Sequence, residues 1–85
     1  MSYIVYILEC KNGSYYTGYT TDLDRRYQAH INGTAKCKYT RSFPPKRIVA
    51  SVDCGDDLSQ ALKLENQIKR LSKTEKQLFI AGLSK

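Results

Sequence analysis

The first hydrophobic signal in the chain is continuous rather than periodic. Residues 3–8, Tyr-Ile-Val-Tyr-Ile-Leu, run without a polar break, and all but the last are β-branched or aromatic. Such a run predicts a strand covered on both faces, and therefore a central one. Lys11-Asn12-Gly13-Ser14 follows as a hairpin turn, because Asn-Gly tolerates the positive φ angles of tight turns, and residues 15–19 then return antiparallel. The pattern next changes to a helical period. Thr21 or Asp22 is the expected N-cap, with acid in the first turn, and Asn32-Gly33 the expected stop.

Residues 34–45 carry no apolar periodicity, end in Pro44-Pro45 and read as a loop; residues 47–52 read as a third strand. Asp57, with Gln60 three residues on, opens a helix reaching about Leu71. Ser72-Lys73-Thr74-Glu75 is a capping box for a last helix ending at Gly82. The expected order is ββαβαα. This is a small α+β domain over 1–85 whose three-stranded antiparallel sheet has the first strand in the middle, without repeats or linkers.

Charge alters this picture more than composition does. Hydrophobic residues at 41% and charged residues at 26% are ordinary globular values, but 14 Lys and Arg against 8 Asp and Glu give +6. A basic balance favours polyanions such as nucleic acid or an anionic membrane surface. Cys10, Cys37 and Cys54 are odd in number and far apart, which suits free thiols in a reducing compartment rather than a disulfide framework or a zinc site. Met1-Ser2 leads straight into the apolar run, and no stretch approaches the roughly 20 apolar residues of a membrane span. The expectation is a soluble cytoplasmic protein with no membrane association.

Three features stand out as candidate chemistry. On the first helix Leu23, Arg26, Tyr27 and His30 fall within one arc, so Arg26 and His30 share the inward-leaning face; the plain alternative is an arginine over the core and a surface histidine. On the next long helix Glu65 falls inside the apolar arc of Ala61, Leu62 and Ile68. A carboxylate there must be paired, protonated or bound to a cation, and Lys69 at i+4 is the nearest candidate partner. Finally, Gly18 interrupts a strand in Tyr16-Thr17-Gly18, which suggests close approach of a backbone or ligand. Beyond these, Lys36, Lys38, Arg41, Lys46 and Arg47 form an acid-free stretch with Tyr39 and Phe43. Positive charge beside aromatics is the composition of a surface that tracks phosphates and stacks bases.

Taken together, Ile4-Val5-Tyr6, then Tyr16-Thr17-Gly18, then Leu23-x2-Arg26-x3-His30, and Glu65 on a later helix resemble the GIY-YIG nuclease superfamily, in particular its small stand-alone bacterial members. The first motif lacks its glycine and the second reads Tyr-Thr-Gly, but both keep their tyrosines. The resemblance implies phosphodiester hydrolysis with one divalent cation, Mg2+ or Mn2+. Tyr6 would be the general base, Glu65 the metal ligand and Arg26 the neutraliser of phosphoryl charge, while Tyr16 and His30 would orient phosphate or water. Nucleic acid, most readily DNA, would lie along Lys36, Lys38, Tyr39, Arg41, Lys46, Arg47 and Lys69. Sequence reading would have to come from a partner, and DNA repair or recombination is the setting such a structure-directed nuclease suggests. The alternatives are a nucleic-acid-binding module that keeps the fold without turnover, and an interaction protein that retains the residues as remnants.

The turn supplies a geometric test. A two-residue Asn12-Gly13 loop would pair position 11 with 14 and put Tyr6 and Tyr16 on opposite faces of the sheet. A three-residue or bulged turn shifts the register by one and brings them together. A shared site requires the second arrangement, and that is the one expected here.

Overall fold

A computed structural model of the chain describes residues 2–35 and 37–83. Its elements are β1 (Ile4–Cys10), β2 (Tyr15–Thr20), α1 (Leu23–Asn32), α2 (Lys38–Ser42), β3 (Pro45–Asp53), α3 (Leu58–Lys69) and α4 (Lys73–Leu83). The sheet is antiparallel in the order β2-β1-β3, so the apolar run does form the central strand. Side chains alternate across its faces. Val5 and Ile7 point to one side and build the core with Ala61 and Ile68 of α3, against which Phe79 and Ile80 of α4 also pack. Tyr6 and Leu8 occupy the other face and are equally buried, as are His30 of α1 and Thr40 of α2.

The caps follow the local chemistry. Asp22 accepts from the backbone N–H of Arg25, and Asp57 from that of Gln60. Ser72 and Glu75 form the reciprocal capping box, with bonds of 2.9 and 3.2 Å. At its other end α1 is closed by Gly33 at φ 73°, whose N–H returns to the last-turn carbonyls. The final helix runs one residue past Gly82, because the helix can carry a glycine at a modest propensity cost.

Two expectations are corrected. The interval read as a loop contains α2, a single short helix whose formation rests on tertiary contacts rather than propensity: Thr40 is buried beneath it and Tyr39 stacks on Tyr16. In addition, β3 starts at Pro45 instead of Arg47, since an edge strand tolerates proline at its first position.

The hairpin decides how the faces combine. Cys10 N–H donates to the carbonyl of Ser14 at 2.8 Å, and Gly13 N–H to that of Cys10 at 2.9 Å, leaving Lys11, Asn12 and Gly13 as a three-residue loop with Gly13 at φ 84°. That conformation is the left-handed position such loops require. Tyr6 consequently pairs with Gly18 and Leu8 with Tyr16, which puts Tyr6 and Tyr16 on one face.

Candidate active site

Tyr6, Tyr16, Gly18, Arg26 and Glu65 line one open pocket of about 380 Å³, together with Tyr19 and Thr20. Four elements meet there: β1 supplies Tyr6, β2 supplies Tyr16 and Gly18, α1 supplies Arg26 and α3 supplies Glu65. Gly18 is what lets them converge. A Cβ built on it would lie 2.7 Å from the Tyr6 hydroxyl oxygen, 2.9 Å from its Cζ and 3.3 Å from Cε2 of Tyr16. The Tyr6 ring thus crosses directly over this position, and the mid-strand glycine reflects close approach of a side chain.

His30 lies behind the pocket rather than in it. It is fully buried and both ring nitrogens are engaged: Nε2 with the Tyr6 hydroxyl at 3.0 Å and Nδ1 with Thr40 Oγ1 at 2.8 Å. This removes the plain alternative of a surface histidine and places His30 away from any phosphate in the pocket. The hydrogen-bond inventory assigns the tautomer. With the Thr40 hydroxyl proton directed to Cys37, whose carbonyl lies at 3.4 Å, the Thr40 oxygen accepts from Nδ1–H of His30. Nε2 then carries the lone pair and accepts the Tyr6 O–H. Burial, reinforced by the Arg26 guanidinium, holds the imidazole below its ordinary 6.5, which keeps that lone pair free.

The two tyrosines differ electrostatically. Burial pushes the Tyr6 phenol above its usual value, while the Arg26 guanidinium facing it works in the opposite direction. Tyr16 is pushed well above its usual range, first by burial and then by the Cys37 thiol beside it, so it stays protonated and keeps a proton to donate near neutrality. Arg26 Nε is buried and has no hydrogen-bond partner, an unmet donor beside the pocket. Glu65 is largely shielded, and Lys69 approaches it at 3.7 Å with its own ammonium in solvent.

The basic stretch is divided by the fold. Tyr39 stacks on Tyr16 with ring centroids 6.2 Å apart, tilts against Phe43 and meets the Ser14 hydroxyl, which brings α2 to the hairpin turn. Lys38 and Arg41 are exposed on the same helix. Lys46 and Arg47 belong instead to β3, on the far side of β1, and Arg47 is held by Glu9 at 2.6 Å. Lys36 lies outside the described residues.

Thr40, Tyr19 and Thr20 were not expected from sequence. Thr20 had a usable signal, because it continues the alternation Tyr16, Gly18, Thr20 on one face. Thr40 had none, since its partner His30 is brought to it only by the packing of α2 on α1.

The family described as the GIY-YIG catalytic domain matches residues 2–78. The chain belongs to the GIY-YIG family. Among GIY-YIG relatives it is 44% identical over 81 residues to the UPF0213 protein BH0048 of Halalkalibacterium halodurans, covering 95% of this chain and 84% of that one. It is 46% identical over 82 residues to a UPF0213 protein of Cupriavidus necator, covering 96% and 87%. The solution NMR structure of BH0048 superimposes with a TM-score of 0.60 over the same 95% and 84%. That of the protein EF2693 from E. faecalis does so with 0.66, at 32% identity over 96% and 85%. The family assignment supports a nuclease-like function acting on nucleic acid. Among the described residues no helix is long and apolar enough to cross a membrane.

Proposed function

We propose that this protein is a Mg2+- or Mn2+-dependent endonuclease that hydrolyses phosphodiester bonds in DNA, directed by the structure of its substrate rather than by base sequence. The observation that carries the reading is the convergence of Tyr6, Tyr16, Arg26 and Glu65 on one open pocket, with His30 hydrogen-bonded behind Tyr6.

Each residue has a part that follows from its surroundings. Tyr6 activates the attacking water through a relay. As the water oxygen bonds to phosphorus and the bond from phosphorus to the leaving sugar oxygen breaks, the water proton passes to the Tyr6 oxygen and the Tyr6 proton to His30 Nε2, while the departing oxygen takes a proton from solvent. A free phenolate, which burial disfavours, is then never required. Positioned general bases of this kind contribute about 10²- to 10⁴-fold. Thr40 keeps Nε2 unprotonated in the resting state. Arg26 offers its donors to the phosphoryl oxygens, where charge accumulates, and Tyr16 adds a neutral hydrogen-bond donor.

Glu65 is the residue to hold the cation. Among the described residues there is no cluster of three His, Cys, Asp or Glu side chains. A shielded carboxylate opening into a polar pocket nevertheless fits Mg2+, which keeps most of its waters and takes one or two carboxylates plus phosphate oxygens. When bound, the cation supplies Lewis-acid stabilisation of the phosphoryl and leaving oxygens.

The test uses labelled duplex, flap and four-way-junction DNA with Mg2+ or EDTA, comparing the wild type with Arg26→Ala, Glu65→Ala and Tyr6→Phe. Metal-dependent products absent from all three variants are expected. Cleavage that persists in Glu65→Ala would overturn the metal assignment, and salt-sensitive binding without products in any sample would favour a binding module without turnover.

A further inference from the structure

A second groove, of about 200 Å³, adjoins the pocket and is lined by Tyr15, Tyr16 and Thr17 of β2, Tyr39 of α2, Lys69 of α3 and Lys76 of α4. We propose that it is an anion subsite, holding a phosphate of the nucleic-acid strand next to the one cut beside Tyr6 and Glu65. The inference rests on the nuclease reading of the neighbouring pocket and adds to it where the substrate runs.

Its lining differs from an ordinary surface dip in three ways. Two lysines line it from separate helices, and no carboxylate lines it. The Thr17 hydroxyl oxygen is buried without a hydrogen-bond partner on a residue only 4% exposed, a polar group that the fold leaves unmet. Tyrosines form the remaining wall, with Tyr39 fixed by its stacking on Tyr16 and its hydroxyl contact with Ser14. Point-charge ammonium groups beside fixed hydroxyls suit a phosphodiester, which needs charge and several donors but no bidentate geometry.

The groove is also in register with the pocket. Tyr16 lines both, and Lys69 stands between them, reaching Glu65 on one side and the groove on the other. An ammonium has three donors and can serve both. A strand whose phosphate lies against Arg26 would continue along β2 past Tyr16 into the groove. The cations that track it are then Lys69 and Lys76, whereas Lys46 and Arg47 lie beyond the central strand.

Lys76→Ala tests this without touching the pocket, because Lys76 is on α4 and outside it. Binding of a fluorescein-labelled 12-nucleotide DNA is measured in EDTA from 50 to 200 mM salt. One phosphate at a time is then replaced by a neutral methylphosphonate. Loss of one contact to a single strand lowers the slope of log affinity against log salt by about 0.7, so Lys76→Ala should lose roughly two- to threefold less affinity over that range than the wild type. One methylphosphonate position should weaken the wild type and leave Lys76→Ala unaffected, and Lys76→Arg should restore the wild-type slope. An unchanged slope in Lys76→Ala, or losses that add at every position, would overturn the subsite even if metal-dependent cleavage at Glu65 is found. A wild type that neither binds nor cuts any of these DNAs would remove both proposals together.

Discussion

Gly18→Ala isolates the feature that lets the pocket form. Gly18 is not among the glycines with positive φ, so alanine brings no backbone strain. In open surroundings it would stabilise the protein by about 0.4–1 kcal/mol by restricting the unfolded chain. The surroundings are not open. Carbon contacts settle near 3.5–4.0 Å, whereas the new methyl would stand 2.9 Å from Tyr6 Cζ and 2.7 Å from its hydroxyl oxygen. Tyr6 is only 1% exposed, so the ring has little room to give way. Forcing a methyl into such packing costs about 1–3 kcal/mol. If the phenol instead tilts away, the 3.0 Å bond to His30 is lost and a buried acceptor is left unpaired, at a similar cost of about 1–3 kcal/mol. Both routes exceed or match the entropic gain, so a net loss near 1–2 kcal/mol is expected, or a fall in Tm of roughly 5–15 °C for a chain of this size. Thermal and urea unfolding measure it. Tyr6→Phe in the Gly18→Ala background removes the closest contact and should recover part of the loss, giving a coupling that independent sites would lack. A Gly18→Ala protein that melts at or above the wild-type temperature would refute the close-approach explanation of this glycine.

Other perturbations address the proposed relay from Tyr6 to His30 behind the pocket. Thr40→Val keeps the shape but removes the acceptor for His30 Nδ1–H; activity should fall about 10- to 100-fold with an altered pH–rate profile, and Thr40→Ser should restore both. His30 is the chain's one histidine, and its folded-state pKa lies below the unfolded 6.5. The unfolded state therefore binds more protons as pH falls through 6.5. Urea unfolding should show stability falling from pH 7.5 to 5.5, with a shallower slope in His30→Gln; equal slopes would contradict a buried neutral imidazole. Burial works against the Cys37 thiolate but is outweighed by the backbone N–H and hydroxyl of Thr40 and by the Tyr16 hydroxyl, so its pKa is lowered, whereas burial raises that of Cys10. Iodoacetamide followed by mass spectrometry should accordingly label Cys37 well ahead of Cys10 near pH 7.5.

How far the sequence went depended on the range of the interaction. The central strand, the helix caps and the Gly33 stop were legible because each is written in neighbouring residues. The register that puts Tyr6 and Tyr16 on one face was expected because a shared site demands it, although the local sequence alone allowed two hairpin registers. Glu65 was conspicuous because a carboxylate in an apolar arc breaks a local rule. The role of His30 was not readable. Helical spacing placed it inward, but Thr40 reaches it from a segment with no periodicity, and that segment is helical only because tertiary contacts hold it so. Lys69 was legible both as an i,i+4 partner of Glu65 and as a nucleic-acid contact, but that Lys76 of α4 lines the same groove was not, because the two are far apart in sequence.

The three-residue turn between β1 and β2 has a consequence for how relatives can diverge. Because sheet faces repeat every two residues, adding or deleting one residue within Lys11–Gly13 would exchange the faces of β2. Thr17 would be turned toward Tyr6 and Tyr16 toward the α3 core. With Gly13 held to its left-handed position, the turn can change length only by even steps, unless a bulge restores the parity. A one-residue indel there would mark a homologue that has kept the sheet and abandoned the pocket shared by Tyr6 and Tyr16.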